Sequence, residues 1–269
     1  MPGLRAHDIA ESFDEICVLA KQNNICKLQF ALAKTFSQIN FDEFGYNEIF
    51  AEGINQKLEA NNIKISVLGC YINPVHPDEK IRATQLKRFK EFIRYSKHLN
   101  ARVIGTETGS CGSLEETLSE ENYQRFVDDF RPLVKTAEDI GVMIAIEPVW
   151  SFTINSVKKM KRLIDDIGSK NLGVIFDICN LINAENYLNQ KAMIDEAFDL
   201  LGDKIQVVHL KDFVIEDERA KLVPIGCGNI DYGHIFDRIN NLAVKPDIIL
   251  DELPLKLYEQ SVQRLKDFI

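Results

Sequence analysis

Residues 142–179 read VMIAIEPVWSFTINSVKKMKRLIDDIGSKNLGVIFDIC. The stretch opens on an apolar run ending in Glu147, continues through a segment of helical period over 155–167, and closes on a second apolar run ending in Asp177. Two continuous apolar strands joined by an amphipathic helix form a βαβ unit, and their unbroken hydrophobicity suits a parallel sheet covered on both faces. The same design recurs further on: IQVVHLKD (205–212) carries His209, and DIILDELP (247–254) carries Glu252. The four polar residues stand 30, 32 and 43 positions apart, about the length of a strand, its helix and two loops, so each ends its own unit.

Upstream, short apolar runs at 4–7, 27–31, 64–71 and 102–106 complete a set of eight strands with those at 142–147, 172–177, 205–210 and 247–251. Between them lie helical stretches at 10–22, 45–61, 79–98, 122–140, 155–167, 189–201, 231–242 and 257–268. In 79–98, for example, Ile81, Leu86, Phe89, Phe92 and Ile93 share one stripe opposite Lys and Arg. Eight strand–helix units give either a closed barrel or a doubly wound open sheet. Neither G-x-G-x-x-G after the first strand nor G-x-x-x-x-G-K-[ST] occurs, so the nucleotide-binding fingerprints of the open sheet are missing. The expected fold is therefore α/β, a single (β/α)8 TIM barrel over 1–269; the length of 269 residues is close to the ~250 usual for that fold.

In a closed barrel the strand ends converge on one rim. Three carboxylates and one imidazole meeting there make a site for one divalent metal ion, Mn²⁺, Co²⁺, Mg²⁺ or Zn²⁺. Each residue also has a plainer explanation: Glu147 before Pro148 could cap a loop, Asp177 a helix, and His209 could be a satisfied barrel histidine. Independent caps have no reason to fall at the same end of four strands, which favours the joint site. Asp251 and Glu252 are adjacent and point to opposite sides of the last strand; Glu252 is taken as the ligand, with Asp251 the alternative.

The net charge of −9 disfavours a nucleic-acid partner. No apolar stretch approaches the ~20 residues of a membrane span, and the N-terminus lacks a secretory signal pattern. Six cysteines without a C-x-x-C pair fit reduced thiols in a cytoplasmic enzyme.

Taken together, IAIEP (144–148), GVIFDICN (173–180), VVHLKD (207–212), PIGCGNIDYGHIF (224–236) and the stretch 73–110 resemble, in order and spacing, the xylose-isomerase-like TIM barrels. That family includes sugar-phosphate isomerases and epimerases, ketose 3-epimerases, hydroxypyruvate isomerase, inosose dehydratase and endonuclease IV. The resemblance implies that Glu147, Asp177, His209 and Glu252 bind the metal and that Glu147 and Glu252 double as an acid–base pair. It implies a metal-dependent isomerase or epimerase of a sugar or sugar phosphate, acting through a metal-stabilised enediolate. Many epimerase-like members carry a histidine three residues after the aspartate, where this chain has Asn180. An amide hydrogen-bonds a sugar hydroxyl but does not shuttle protons near neutral pH. Arg219 resembles a substrate-contacting arginine of the family, and Glu107, Trp150 and His7 are further candidates for substrate contact. Lys211 either neutralises charge near the metal or is merely exposed, and Gly109–Gly112 is either an anion cradle or a plain turn.

Two alternatives belong to other classes: a lyase like inosose dehydratase, and a catalytically silent sugar-binding barrel. Both glutamates are present, which argues against the silent form. Related barrels often associate, which leaves a homo-oligomer open.

Overall fold

A computed structural model describes residues 1–217 and 219–268. Eight parallel strands close into a barrel: β1 Gly3–Arg5, β2 Lys27–Phe30, β3 Lys64–Gly69, β4 Val103–Thr106, β5 Met143–Ile146, β6 Leu172–Phe176, β7 Ile205–Leu210 and the final strand Asp247–Leu250. The final strand pairs with both β7 and β1, so the ring has no free edge. Helices return the chain between strands, the longest being Glu79–His98 and Glu120–Ile140. Their starts are fixed by side chains that accept from free backbone N–H groups, among them Ser12, Asn47, Asp78, Ser119, Ser156 and Asp231. No helix among the described residues is long and apolar enough to cross a membrane.

The core has two layers. Val67, Val103, Ala145, Ile175, Val207 and Ile249 fill the barrel interior, while the larger cluster lies between strands and helices. At Gly105 the interior is so tight that a Cβ would stand 2.6 Å from Val67 Cγ2 and 2.7 Å from Ile175 Cδ1.

Strand side chains alternate, so any residue an even number of places beyond an interior residue turns to the same side while the chain stays extended. Two places beyond Ala145, Ile175, Val207 and Ile249 are Glu147, Asp177, His209 and Asp251, all buried. Glu252 has the parity of the outward Leu250, and its φ of 51° turns the chain out of the strand.

Two features depart from the sequence expectation. The first strand stops at Arg5, and His7 lies in a 3₁₀ turn, Ala6–Asp8. After β7, in a stretch where the sequence pattern marks no strand, an antiparallel hairpin rises: β8 Asp212–Glu216 and β9 Arg219–Val223. The buried Asp212 carboxylate ties this ribbon down, accepting from the N–H groups of Phe213 (2.9 Å), Gly226 (2.9 Å), Gly228 (2.8 Å) and Ile230 (3.2 Å). This explains the glycines of PIGCGNID: a Cβ on Gly228 would stand 2.3 Å from both Asp212 Oδ1 and the Phe213 carbonyl.

Candidate active site

At the C-terminal mouth of the barrel, Glu147, Asp177 and His209 each present a ligand atom within 4.8 Å of the others, and all three are buried. Glu147 is fixed from three directions. Its N–H donates to the Thr106 carbonyl (2.9 Å), and its Oε1 accepts from Asn180 Nδ2 (2.7 Å) and lies 3.1 Å from His209 Nδ1. Asp177 Oδ1 accepts from Cys179 N at 2.8 Å, so it caps the short helix Ile178–Leu181 while its other oxygen stays available to the site. The capping role and the site role are thus divided between two oxygens of one carboxylate.

Lys211 is buried, with Nζ 3.1 Å from Asp177 Oδ2, 3.1 Å from Asp251 Oδ2 and 3.8 Å from Glu252 Oε1. Arg5 Nη1 stands 3.3 Å from Asp251 Oδ1 and 3.9 Å from Glu252 Oε1. Burial alone would discharge these groups, but their mutual field prevails at most of them. Burial pushes down the Lys211 and His209 pKa values, yet Asp177 and Asp251 hold the ammonium well above its ordinary value, and Glu147 and Asp251 lift His209 to about 9. Burial also opposes ionisation of Asp251, but His209, Lys211 and Arg5 bring it to about 2. At Asp177 burial prevails, and the carboxyl is raised to about 6 against the pull of Lys211.

Asp177 Oδ2, His209 Nε2 and Asp251 Oδ1 are buried without a hydrogen-bond partner; for the two carboxylates, the neighbouring cations lie at ion-pair distance but outside hydrogen-bond geometry. Buried polar atoms left in this state are costly unless something coordinates them. Carboxylate oxygens and an imidazole nitrogen are the donors a divalent cation takes, so these residues fit one.

Above the cluster is a cavity of about 210 Å³ lined by Arg5, Gln29, Lys34, Tyr71, Glu107, Glu147, Asn180, Lys211, Asp251 and Glu252. Its lining side chains all carry a polar group, and its volume lies below the ~300–1,000 Å³ of drug-sized sites. A larger depression of about 690 Å³ lies at the opposite end, among strand starts such as Lys27, Lys64, Arg102 and Asp247. Barrel enzymes carry their chemistry at the face where the smaller cavity lies, which makes that cavity the candidate site.

The other candidates fall on both sides of the cavity boundary. Glu107 lines it, and burial, helped by the Glu147 charge, raises its carboxyl to about 7. Asn180 lines it and orients Glu147. Glu252 sits at the rim, its side chain 40% exposed. Trp150 does not line it; it borders a neighbouring cleft with Asn155, Leu181 and Met193, and its backbone N–H donates to the Asn180 carbonyl (2.8 Å). Arg219 is exposed on β9, opposite Glu216 across the hairpin, and does not line the cavity. Both His7 ring nitrogens are buried without partners, and its pKa falls to about 4 through burial and the nearby Arg5 and Lys34 charges. The Gly109–Gly112 segment is an irregular loop whose Cys111 N donates to Thr117 Oγ1 at 3.1 Å, while its Ser110 carbonyl accepts from Asn73 Nδ2 at 2.7 Å. Arg5, Gln29, Lys34 and Tyr71 were not singled out by sequence. Tyr71 carried a signal, lying four places beyond the interior Val67.

The model of the family described as xylose isomerase-like TIM barrel matches residues 30–268, and the chain belongs to that family. The L-ribulose 3-epimerase of Mesorhizobium japonicum is 23% identical over 191 residues, 70% of this chain but only 60% of the epimerase. Among solved structures, a D-tagatose 3-epimerase-like protein superposes with a TM-score of 0.80 at 18% identity, covering 99% of this chain and 96% of that one. The IolI protein, solved with a bound zinc atom, superposes with a TM-score of 0.72 at 16% identity, covering 99% and 98%. At these identities the structural likenesses establish the fold alone.

Proposed function

We propose that this chain is a divalent-metal-dependent isomerase or epimerase of a small sugar or sugar phosphate. The observation that carries it is the convergence of Glu147, Asp177 and His209, with unpartnered buried donor atoms, beneath a wholly polar cavity. The L-ribulose 3-epimerase and the D-tagatose 3-epimerase-like protein support the reaction class.

Glu147, Asp177, His209 and Asp251 would hold the cation. Asp251 takes the place first given to Glu252, because it shares the inward parity of the other three and is buried beside them. When bound, the cation supplies positive charge to the negative charge that develops on the substrate's oxygens, worth several kcal/mol of barrier. Glu147, aimed by Asn180, removes the proton from the carbon next to the carbonyl. Glu252 on the cavity wall returns a proton. Return to the opposite face of the same carbon inverts it; return to the neighbouring carbon, with proton transfer between the oxygens, exchanges ketose for aldose. Lys211 and Arg5 keep the Asp251 carboxylate charged and in place.

The test pairs metal content with isotope exchange. Wild-type protein reconstituted with Mn²⁺, Co²⁺ or Zn²⁺ should hold about one equivalent, and the Asp177→Ala/His209→Ala double variant should hold none. The loaded protein should wash deuterium from solvent into a ketose at carbon. A wild type that stays empty after reconstitution defeats the metal reading; one that loads and binds sugar without exchange is a silent barrel.

A further inference from the structure

The ring order sets β2 diametrically across the barrel from β6, so the loop after β2 faces Asp177 over the mouth. Lys34 stands on that loop, in the short helix Leu32–Thr35, and lines the cavity. Three cations line this cavity, and two are bound to carboxylates. Arg5 holds Asp8 at 2.6 Å and Asp251 at 3.3 Å, and Lys211 holds Asp177 and Asp251 at 3.1 Å each. Among the described residues Lys34 has no carboxylate within ion-pair distance. Its ammonium stands 5.5 Å from the centre of the Tyr71 ring, a contact that orients the charge without neutralising it.

Lys34 is exposed at the mouth, and beside it lie buried polar atoms without partners. Gln29, only 2% exposed, gives its amide nitrogen to the Tyr71 hydroxyl and leaves Oε1 buried without a partner. Both ring nitrogens of His7 are buried without partners, and the Lys34 charge is among the causes that keep this imidazole neutral. The cavity thus has two unlike walls. The side formed by β4–β7 and the last strand presents the carboxylates, with Lys211 between them; the β1–β3 side presents the Tyr71 hydroxyl, the Gln29 amide, the carboxylate-paired Arg5 and the exposed Lys34 ammonium, which no carboxylate among the described residues pairs. A neutral polyol would occupy both walls and leave that ammonium to solvent. A molecule with a carbonyl at one end and an anion at the other would answer it.

We propose that Lys34 is a specificity-determining residue that reads an anionic group, phosphate or carboxylate, at the end of the substrate remote from Glu147, Asp177 and His209. This rests on the sugar reading above and narrows its substrate class to sugar phosphates or sugar acids. An ammonium at a partly open site meeting a dianion or carboxylate is worth about tenfold in affinity, the lower end of hydrogen bonds to charged groups.

The experiment is calorimetric titration of Mn²⁺-loaded protein with D-ribulose, D-ribulose 5-phosphate and 5-keto-D-gluconate at low ionic strength. At least one anionic probe should bind about tenfold more tightly than D-ribulose, and which one it is separates phosphate from carboxylate. The gap should close in Lys34→Ala, persist in Lys34→Arg and shrink as salt is added. A gap that survives in Lys34→Ala overturns the assignment. D-ribulose binding as tightly as both anions overturns it too, while the sugar reading stands. If none of the three binds, the sugar reading falls and this inference falls with it.

Discussion

Replacing Lys211 with methionine removes the one ammonium that spans Asp177 and Asp251 while keeping the length and apolar stem of the side chain. In the wild type, Nζ lies 3.1 Å from an oxygen of each carboxylate, and the lysine is 8% exposed. Methionine fills the volume but leaves two buried carboxylates without their shared counter-charge. Breaking a buried ion pair from one side costs about 3–5 kcal/mol, because the remaining charge keeps its desolvation penalty and loses its compensation. A domain of this size shifts by roughly 2–4 °C per kcal/mol, so chelator-treated Lys211→Met should melt about 6–20 °C below wild type. Adding Mn²⁺ should recover more stability in the variant than in the wild type, since a bound cation replaces part of the missing charge. The assay is thermal unfolding followed by circular dichroism, with and without chelator. A chelated variant melting within about 2 °C of wild type, or gaining no more than wild type from metal, would refute this account of the Lys211 network.

Asn180→Ala removes the donor to Glu147 Oε1 (2.7 Å); carbon-bound deuterium exchange should slow about tenfold or more, with metal content unchanged by elemental analysis. Glu107 has its carboxyl raised from 4.5 to about 7, chiefly by burial, so the folded state favours its protonated form. Its stabilising contribution is complete below about pH 4.5 and disappears as pH rises to 7; Glu107→Gln should flatten the chelated protein's urea-unfolding stability across that window. His7, lowered to about 4 mainly by burial, works the other way: its contribution is present above pH 6.5 and lost as pH falls toward 4, a slope that His7→Gln should remove. Gly228→Ala places a methyl 2.3 Å from the Phe213 carbonyl, and the hairpin amides should show much faster hydrogen exchange while the barrel amides remain protected.

The barrel was legible in the chain because its signal is periodic and long. The runs ending at Glu147, Asp177 and His209 are apolar on both faces, as strands buried between core and helices must be, and the intervening stripes match the observed helices closely. That same two-sided burial concealed which of Asp251 and Glu252 turns inward. When Ile248, Ile249 and Leu250 are all apolar, alternation gives no sign of the inner face, and the answer needs the register that pairs Ile249 with His209. Arg5, Gln29 and Lys34 were illegible for a different reason: a three-residue strand, a strand with a register shift at Leu28/Gln29 and a one-turn helix are too short to carry a period. The hairpin was missed because β9 is almost wholly exposed, so no buried face marks it, and its form depends on Asp212, which is tied to N–H groups 14, 16 and 18 positions further along the chain.

The left-handed turn at Glu252 has a consequence for how such a site can change over time. A single peptide unit separates a carboxylate locked among buried cations from one that reaches solvent at the rim. The anchored acid is constrained by everything packed around it, whereas its neighbour meets the same cations only at 3.8–3.9 Å and faces whatever enters the mouth. Exchanging Glu252 for another residue could therefore redirect the chemistry without disturbing the scaffold, so that the last strand offers a permanent post beside an interchangeable tool.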